Sequence, residues 1–331
     1  EKKITHNYKL EKKNQNFVTY VITSYNKRLY LNQVINALAR EGGNLKKEFI
    51  IVDDGSSDNS MAVITSMYKK LPGKLIVIRR KNLGASFSTN QAVQLASSYW
   101  IRLLDGDDLV TYKSTENMLN LARANGLEFS YGLIGDKTVN AYSESKKYEI
   151  QNRDSGLKKF IKNCPANSSA ILVSKIRYCK AGGCNENFVS PDQVLFLRLF
   201  SSGGGVFFKK LVAITPTNPL NGRLSSQLKR SRYESILALI RLCEENRQLE
   251  KKIKKIAFKR ALSRSYNYHK FFTSRVFSKH FLKYLLSKVY FPNNFICLMY
   301  DALTAFTGDS HLKPKIWLTG SDKHSISKKN I

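Results

Sequence analysis

Three aspartates, Asp105, Asp107 and Asp108, fall within four positions at the end of an apolar run. A second acidic string, Asp53-Asp54-Gly55-Ser56-Ser57-Asp58, ends another such run. Crowded carboxylates repel one another unless a cation, a basic side chain or solvent compensates them. Hard divalent cations such as Mg²⁺ or Mn²⁺ favour such oxygen ligands and often bind through one or two carboxylates plus substrate phosphates. Acidic turns and helix caps use the same residue types, and either Ser57 or Asp58 suits a cap. Two acidic loops in so basic a chain suggest a metal-assisted nucleotide site, in which the Asp53–Asp58 loop could accept hydrogen bonds from a base or ribose.

The surrounding pattern says what positions these loops. Residues 17–23 form a β-branched and aromatic run, and 29–40 then place Leu31, Val34, Ile35, Leu38 and Ala39 at helical spacing. Further strands are predicted at 49–52, 75–78 and 99–104, with a helix carrying Met61, Val63, Ile64 and Met67 and another over 91–97. Alternating strand, loop and helix is the pattern of an open α/β sheet, whose ligands gather at the carboxyl ends of the strands. Residues 136–159, rich in Lys, Ser and Asn, are predicted to be an exposed excursion. A strand at 169–174, a helix at 194–200 and a last strand at 206–214 follow.

The chain has 331 residues and a formal charge of +30, and with 42% apolar residues it is too apolar to be wholly disordered. No apolar run approaches the roughly 20 residues a membrane-crossing helix needs. The lysine-rich first sixteen residues have no apolar stretch behind them, so no secretory signal is expected. The five cysteines are widely spaced without a C-x-x-C pair, which favours reduced core thiols and a cytoplasmic protein. Residues 216–331 hold 23 Lys and Arg against 7 Asp and Glu, about twice the charge density of the rest. Within them Phe258, Leu262, Phe272, Val276, Phe281, Leu285 and Val289 largely follow helical spacing. That face suits either packing on the core or attachment beside an anionic membrane surface. Charge alone would attract nucleic acid, but no recognition module is present and none is expected to bind.

In order and spacing, ITSYN at 22–26, VDDGSSDNS at 52–60, Asn82-x-Gly84 with Asn90, and LLDGDD at 103–108 resemble the nucleotide-sugar half of family 2 glycosyltransferases. The resemblance implies a GT-A fold, a Rossmann-like α/β domain with a mixed central sheet, over residues 16–215. A basic, mainly helical extension would occupy 216–331. By the same resemblance Thr23 and Asp54 contact the nucleoside, Tyr25 lies near the base or ribose, and Asn82 and Asn90 belong to the donor site. Asp105 and Asp107 form the D-x-D element, with Asp107 the direct ligand of a Mn²⁺ or Mg²⁺ that bridges the donor diphosphate.

The family's base lies after a Gly-Gly turn, and here Gly182-Gly183 precedes Ser190-Pro191-Asp192-Gln193, which puts Asp192 in that role and Glu186 in reserve. Asp192 is also a candidate helix cap. Pro191 stands where a first acid is usual, and Thr89 where an Arg is usual, a loss that Lys81 or Arg80 could offset. No Q-x-x-R-W element occurs, which favours one sugar per encounter over processive synthesis. The implied activity is inverting transfer from a nucleotide-diphosphate sugar, UDP-linked by family frequency, to a glycan or lipid-linked acceptor. It would be cytoplasmic or peripheral at the inner face of the plasma membrane. The alternatives are a noncatalytic nucleotide-sugar-binding protein and, ranked behind it, a basic nucleic-acid-binding protein.

Overall fold

A computed structural model describes residues 16–136, 147–216 and 228–306. Strands β1 (Phe17–Ser24), β2 (Lys46–Asp53), β3 (Lys74–Arg79) and β4 (Trp100–Asp105) lie parallel in the order β3-β2-β1-β4. β1, β2 and β4 are buried along most of their length, which is why they read as nearly continuous apolar runs rather than alternating ones. Helices α1 (Arg28–Arg40), α2 (Ser60–Met67) and α3 (Ala85–Leu95) make the crossovers that parallel strands require.

Beyond β4 the sheet becomes mixed. β8 (Ile171–Ser174) runs antiparallel to both β4 and β6 (Phe129–Gly135). β9 (Gly205–Ile214) pairs parallel with β6 and antiparallel with β5 (Leu109–Val110) and β7 (Tyr148–Gln151). Helices α4 (Ser114–Ala124), α5 (Arg153–Lys162), α6 (Lys175–Lys180) and α7 (Asp192–Ser201) complete this half. Four more follow: α8 (Leu228–Glu245), α9 (Lys251–Thr273), α10 (Lys279–Val289) and α11 (Phe295–Ala302). Their buried side chains, among them Ile236, Ile240, Ile253, Phe258 and Leu262, continue the hydrophobic core of the sheet without a break. Burying each such side chain contributes about 1.5–3 kcal/mol.

Three expectations are corrected. The predicted excursion at 136–159 contains β7 and most of α5 among its described residues, with Leu157, Phe160 and Ile161 buried. Its lysines mislead because they cover apolar surface: Lys159 Nζ sits 3.7 Å from the centre of the Phe207 ring. Helix α3 holds Gln91–Leu95 of the predicted 91–97 segment but stops before Ala96 and extends back to Ala85, with the Ser88 and Thr89 hydroxyls bonded to the carbonyls of Gly84 and Ala85. The apolar positions from 258 to 289 do not form one face. The helix ends before Ser274, which has φ +57°, and only the amino-terminal part of the series is buried.

Candidate functional site

Sheet register places the two acidic loops side by side. Ser24 is level with Asp53 across β1 and β2, and Thr23 with Asp105 across β1 and β4. Two backbone bonds tie the loops to β1: Asp54 N–H donates to Ser24 C=O at 2.8 Å, and Gly106 N–H to Thr23 C=O at 2.8 Å. A Cβ at Gly106 would lie 2.9 Å from that Thr23 oxygen, so this close approach needs glycine. Asn26, at φ +53° in the turn after β1, ties that turn to the loop after β2 by accepting from Ser57 N–H and donating its own N–H to Ser56 Oγ.

Asp54 is saturated by its own chain. Its Oδ1 accepts from Arg80 at 2.8 Å and from Leu83 N–H at 3.0 Å, and its Oδ2 from Gly84 N–H at 2.7 Å. The carboxylate thereby shapes the loop that leads into α3. Arg80 lies over the Phe87 ring and also donates to Ser88, so this cation is committed to the scaffold. Asp53, fully buried beside it, has neither side-chain oxygen hydrogen-bonded to the described residues, and Arg79 stands 3.9 Å away. The acidic string alone does not separate Asp53 from Asp54; the position of Asp53 as the last residue of a buried strand does.

The second acidic loop differs. Asp105 Oδ1 accepts from Ser168 Oγ at 3.0 Å, and Asp192 Oδ1 accepts from the N–H of the same Ser168 at 2.8 Å. Asp108 accepts from Asn167 at 3.0 Å, and Asp107 accepts from Lys27 Nζ at 2.8 Å. Asp105, Asp108 and Asp192 thus converge on the turn at Asn167 and Ser168, just before β8. Asp107 is tied to Lys27 at the start of α1. Burial, then Asp108, Asp192 and Asp107 in turn, hold the Asp105 carboxyl well above its ordinary value. Burial also raises Asp192, against the two Ser168 hydrogen bonds, which favour its charged form. Beneath them, fully buried Arg102 donates to the carbonyls of Ser169, Ile171 and Val212, fixing the turn and the strands beside it.

Asp192 is the first residue of α7, and the loop before it is held from outside. Glu234, buried in α8, accepts from Val189 N–H at 3.0 Å and Ser190 N–H at 2.9 Å while paired to Arg230 at 2.7 Å. Asn90 accepts from Tyr178 and Cys184 N–H and donates to Cys184 C=O and Glu186 Oε1. Asn90 and Glu186 therefore organise the loop after the Gly-Gly turn. Thr23 is half-buried, whereas Tyr25 and Asn82 are exposed. The structure gathers Asp105, Asp108 and Asp192 around one turn. Asp54, in the loop after β2, and Asn90, on helix α3, support the neighbouring loops.

Among the described residues, no three His, Cys, Asp or Glu side chains are close enough to hold a metal by themselves. The donor set instead fits a cation that takes one or two carboxylates and completes its shell with phosphate oxygens.

A mixed sheet with acidic loops at the carboxyl ends of its parallel strands defines the GT-A class, here followed by a helical carboxyl-terminal region. Residues 19–182 match the model described as "Glycosyl transferase family 2", and the chain belongs to that family by this domain. It is 30% identical over 101 residues to the minor teichoic acid biosynthesis protein GgaB of Bacillus subtilis, which covers 30% of this chain and 11% of that one. The chain spans from about a tenth to about a half of the length of the first curated relatives it matches. The fold is similar to that of S. aureus TarS 1-349 in complex with UDP-GlcNAc, with a TM-score of 0.60 and 16% identity over 82% of this chain and 79% of that one. It is also similar to the mannosyltransferase PcManGT of Pyrobaculum calidifontis in complex with GDP-Man and Mn²⁺, with a TM-score of 0.55 and 13% identity over 87% and 85% of the two chains.

Proposed function

We propose that this protein transfers a sugar, with inversion, from a nucleotide-diphosphate sugar to a hydroxyl of a glycan or lipid-linked acceptor at the inner face of the plasma membrane. The carrying observation is Ser168, whose hydroxyl and N–H hold Asp105 and Asp192 at once. It brings the side that would meet the donor's diphosphate and the side that would meet the acceptor to one turn. Solved neighbours in complex with UDP-GlcNAc and with GDP-Man and Mn²⁺ support the donor class, and we read UDP as the carrier.

In this reading Asp107 and Asp105 hold a divalent cation, which when bound offsets the charge of the departing diphosphate. Lys27, on Asp107, lends a further positive charge to the same place. Asp53 and Asp54 form the nucleoside end with Thr23 and Tyr25, Asp54 by shaping the loop and Asp53 by its buried, unmatched carboxylate. Asn82 and Asn90 border the donor site, Asn90 through the 183–186 loop. Asp192 takes the proton of the acceptor hydroxyl. The oxygen then attacks the anomeric carbon from the face opposite the diphosphate, whose bond to that carbon breaks with both electrons leaving on the nucleotide. A raised carboxyl affinity for protons suits this work, because a stronger base takes the hydroxyl proton further in the transition state.

The test is Asp192→Asn, assayed against a panel of nucleotide sugars with Mn²⁺ or Mg²⁺. Donor binding by calorimetry is retained, while transfer falls by about 10²–10⁴-fold, the range of general base catalysis. Undiminished turnover would remove Asp192 from the mechanism, and donor binding without transfer in the wild type would leave a nucleotide-sugar-binding protein.

A further inference from the structure

The apolar stripe of α10 faces away from the protein. On its inner side His280 and Ser287 are buried, His280 meets Ser265 of α9 at 3.1 Å, and Phe281 and Tyr284 pack on Tyr266. On the other side Leu282, Leu285, Leu286 and Val289 recur at three- and four-residue spacing, which makes them a single helical stripe. Leu286 is 61% exposed and Val289 81%, and Phe277, in the turn before the helix, is 82% exposed. An ordinary surface helix turns this stripe inward. Here the inward face is already filled by other residues.

Charge identifies what the stripe meets. Residues 251–300 carry twelve Lys and Arg and not one Asp or Glu. Arg275, Lys279 and Lys288 are exposed beside the stripe, and Lys283 pairs with Asp301 of α11. Apolar side chains flanked by lysines fit a bilayer boundary, with the chains in the acyl region and the ammonium groups at anionic headgroups. A second copy of this chain would set two such basic segments against each other, and like charges oppose that pairing. Among the described residues no helix is long and apolar enough to cross a membrane, so the contact lies in the plane of the surface.

We infer that residues 277–290 are an interfacial anchor that seats the protein on an anionic phospholipid bilayer through the outer stripe of α10. The inference rests on the proposed function only for where the acceptor is met, and its test needs no sugar transfer. Full-length protein is floated with vesicles of phosphatidylcholine alone or with 30 mol% phosphatidylglycerol, at about 0.1 M and 0.5 M salt. The wild type and Asp192→Asn both float with the anionic vesicles at low salt, and binding weakens at least several-fold at high salt. Leu282→Ser/Leu286→Ser/Val289→Ser lowers partitioning at least tenfold, with far-ultraviolet circular dichroism unchanged because these side chains touch solvent. Lys279→Glu/Lys288→Glu lowers it by a similar factor on anionic vesicles. The inference is overturned if the wild type stays unbound, or if the triple variant floats as well as the wild type. It is equally overturned if sedimentation shows a dimer broken by the triple variant while vesicles bind neither protein, which would give the stripe to a second copy.

Discussion

Two acidic loops leave neighbouring parts of one sheet, and they are compensated in opposite ways. The loop after β2 spends Asp54 on Arg80 and two backbone N–H groups. The loop after β4 leaves Asp105 among three other carboxylates, with its proton affinity raised. In the first, Asp54 is fully paired within the chain, although Asp53 beside it accepts no hydrogen bond from the described residues. In the second, carboxylates are crowded together, a repulsion that in the proposed reading a divalent cation relieves. Acidity in the sequence is therefore a poor guide to role; what separates the loops is how many donors the fold brings to each.

The contrast can be broken by substitution. Asp54→Ala leaves part-buried Arg80 without its carboxylate, and removing one member of a buried pair costs up to about 3–5 kcal/mol. Thermal unfolding is expected to show a fall in Tm of roughly 2–4 °C for each kcal/mol. Asp107→Ala should act mainly on turnover: transfer and metal-dependent donor affinity fall about 100-fold, some 2.7 kcal/mol, while Tm falls less than for Asp54→Ala because its partner Lys27 is the more exposed cation. Large stability loss at Asp107 with little at Asp54, measured side by side, would invert the assignment.

Glu234→Gln sharpens the comparison further, because it touches neither loop. It keeps an acceptor for one N–H at most and weakens the link to Arg230, so kcat is expected to fall about tenfold with the donor KM unchanged. A rise in donor KM at constant kcat would show that the clamp serves something other than the loop before Asp192.

The smallest effect concerns pH. Asp105 and Asp192 have folded-state values above their unfolded ones, so their contribution to stability is present below the ordinary carboxylate value near 4 and is lost as pH rises through the folded values. Ligand-free wild type is expected to lose more stability between pH 4 and 7 than Asp105→Asn does, read as a larger fall in Tm over that range. Mn²⁺ with UDP should restore it in the wild type alone. Parallel pH curves for the two proteins would dismiss the electrostatic account.

Much of this architecture is legible along the chain. Strands β1, β2 and β4 announce themselves as apolar runs that end in polar loops, and Asp105 and Asp107 stand out by type and spacing, while Asp192 is picked out only by the family resemblance. What escapes is contact across long sequence separations. Ser168 meets Asp105 63 residues away, and nothing in its own neighbourhood marks it. Glu234 reaches Ser190 across 44 residues, and its one local sign is an acid in the early turns of α8, four residues after Arg230. The outward stripe of α10 is likewise visible as periodicity, but periodicity does not say which side faces the core. Only His280 and Ser287, packed on the opposite side, settle that.

The grip of Glu234 on Val189 and Ser190 also bears on how such enzymes can be cut and recombined. Trimming the chain behind β9 would free the backbone that leads into Asp192, even with every donor-side aspartate retained. The helices after β9 are thus no detachable module, and a chimera that exchanges them must bring its own acid for those two amides.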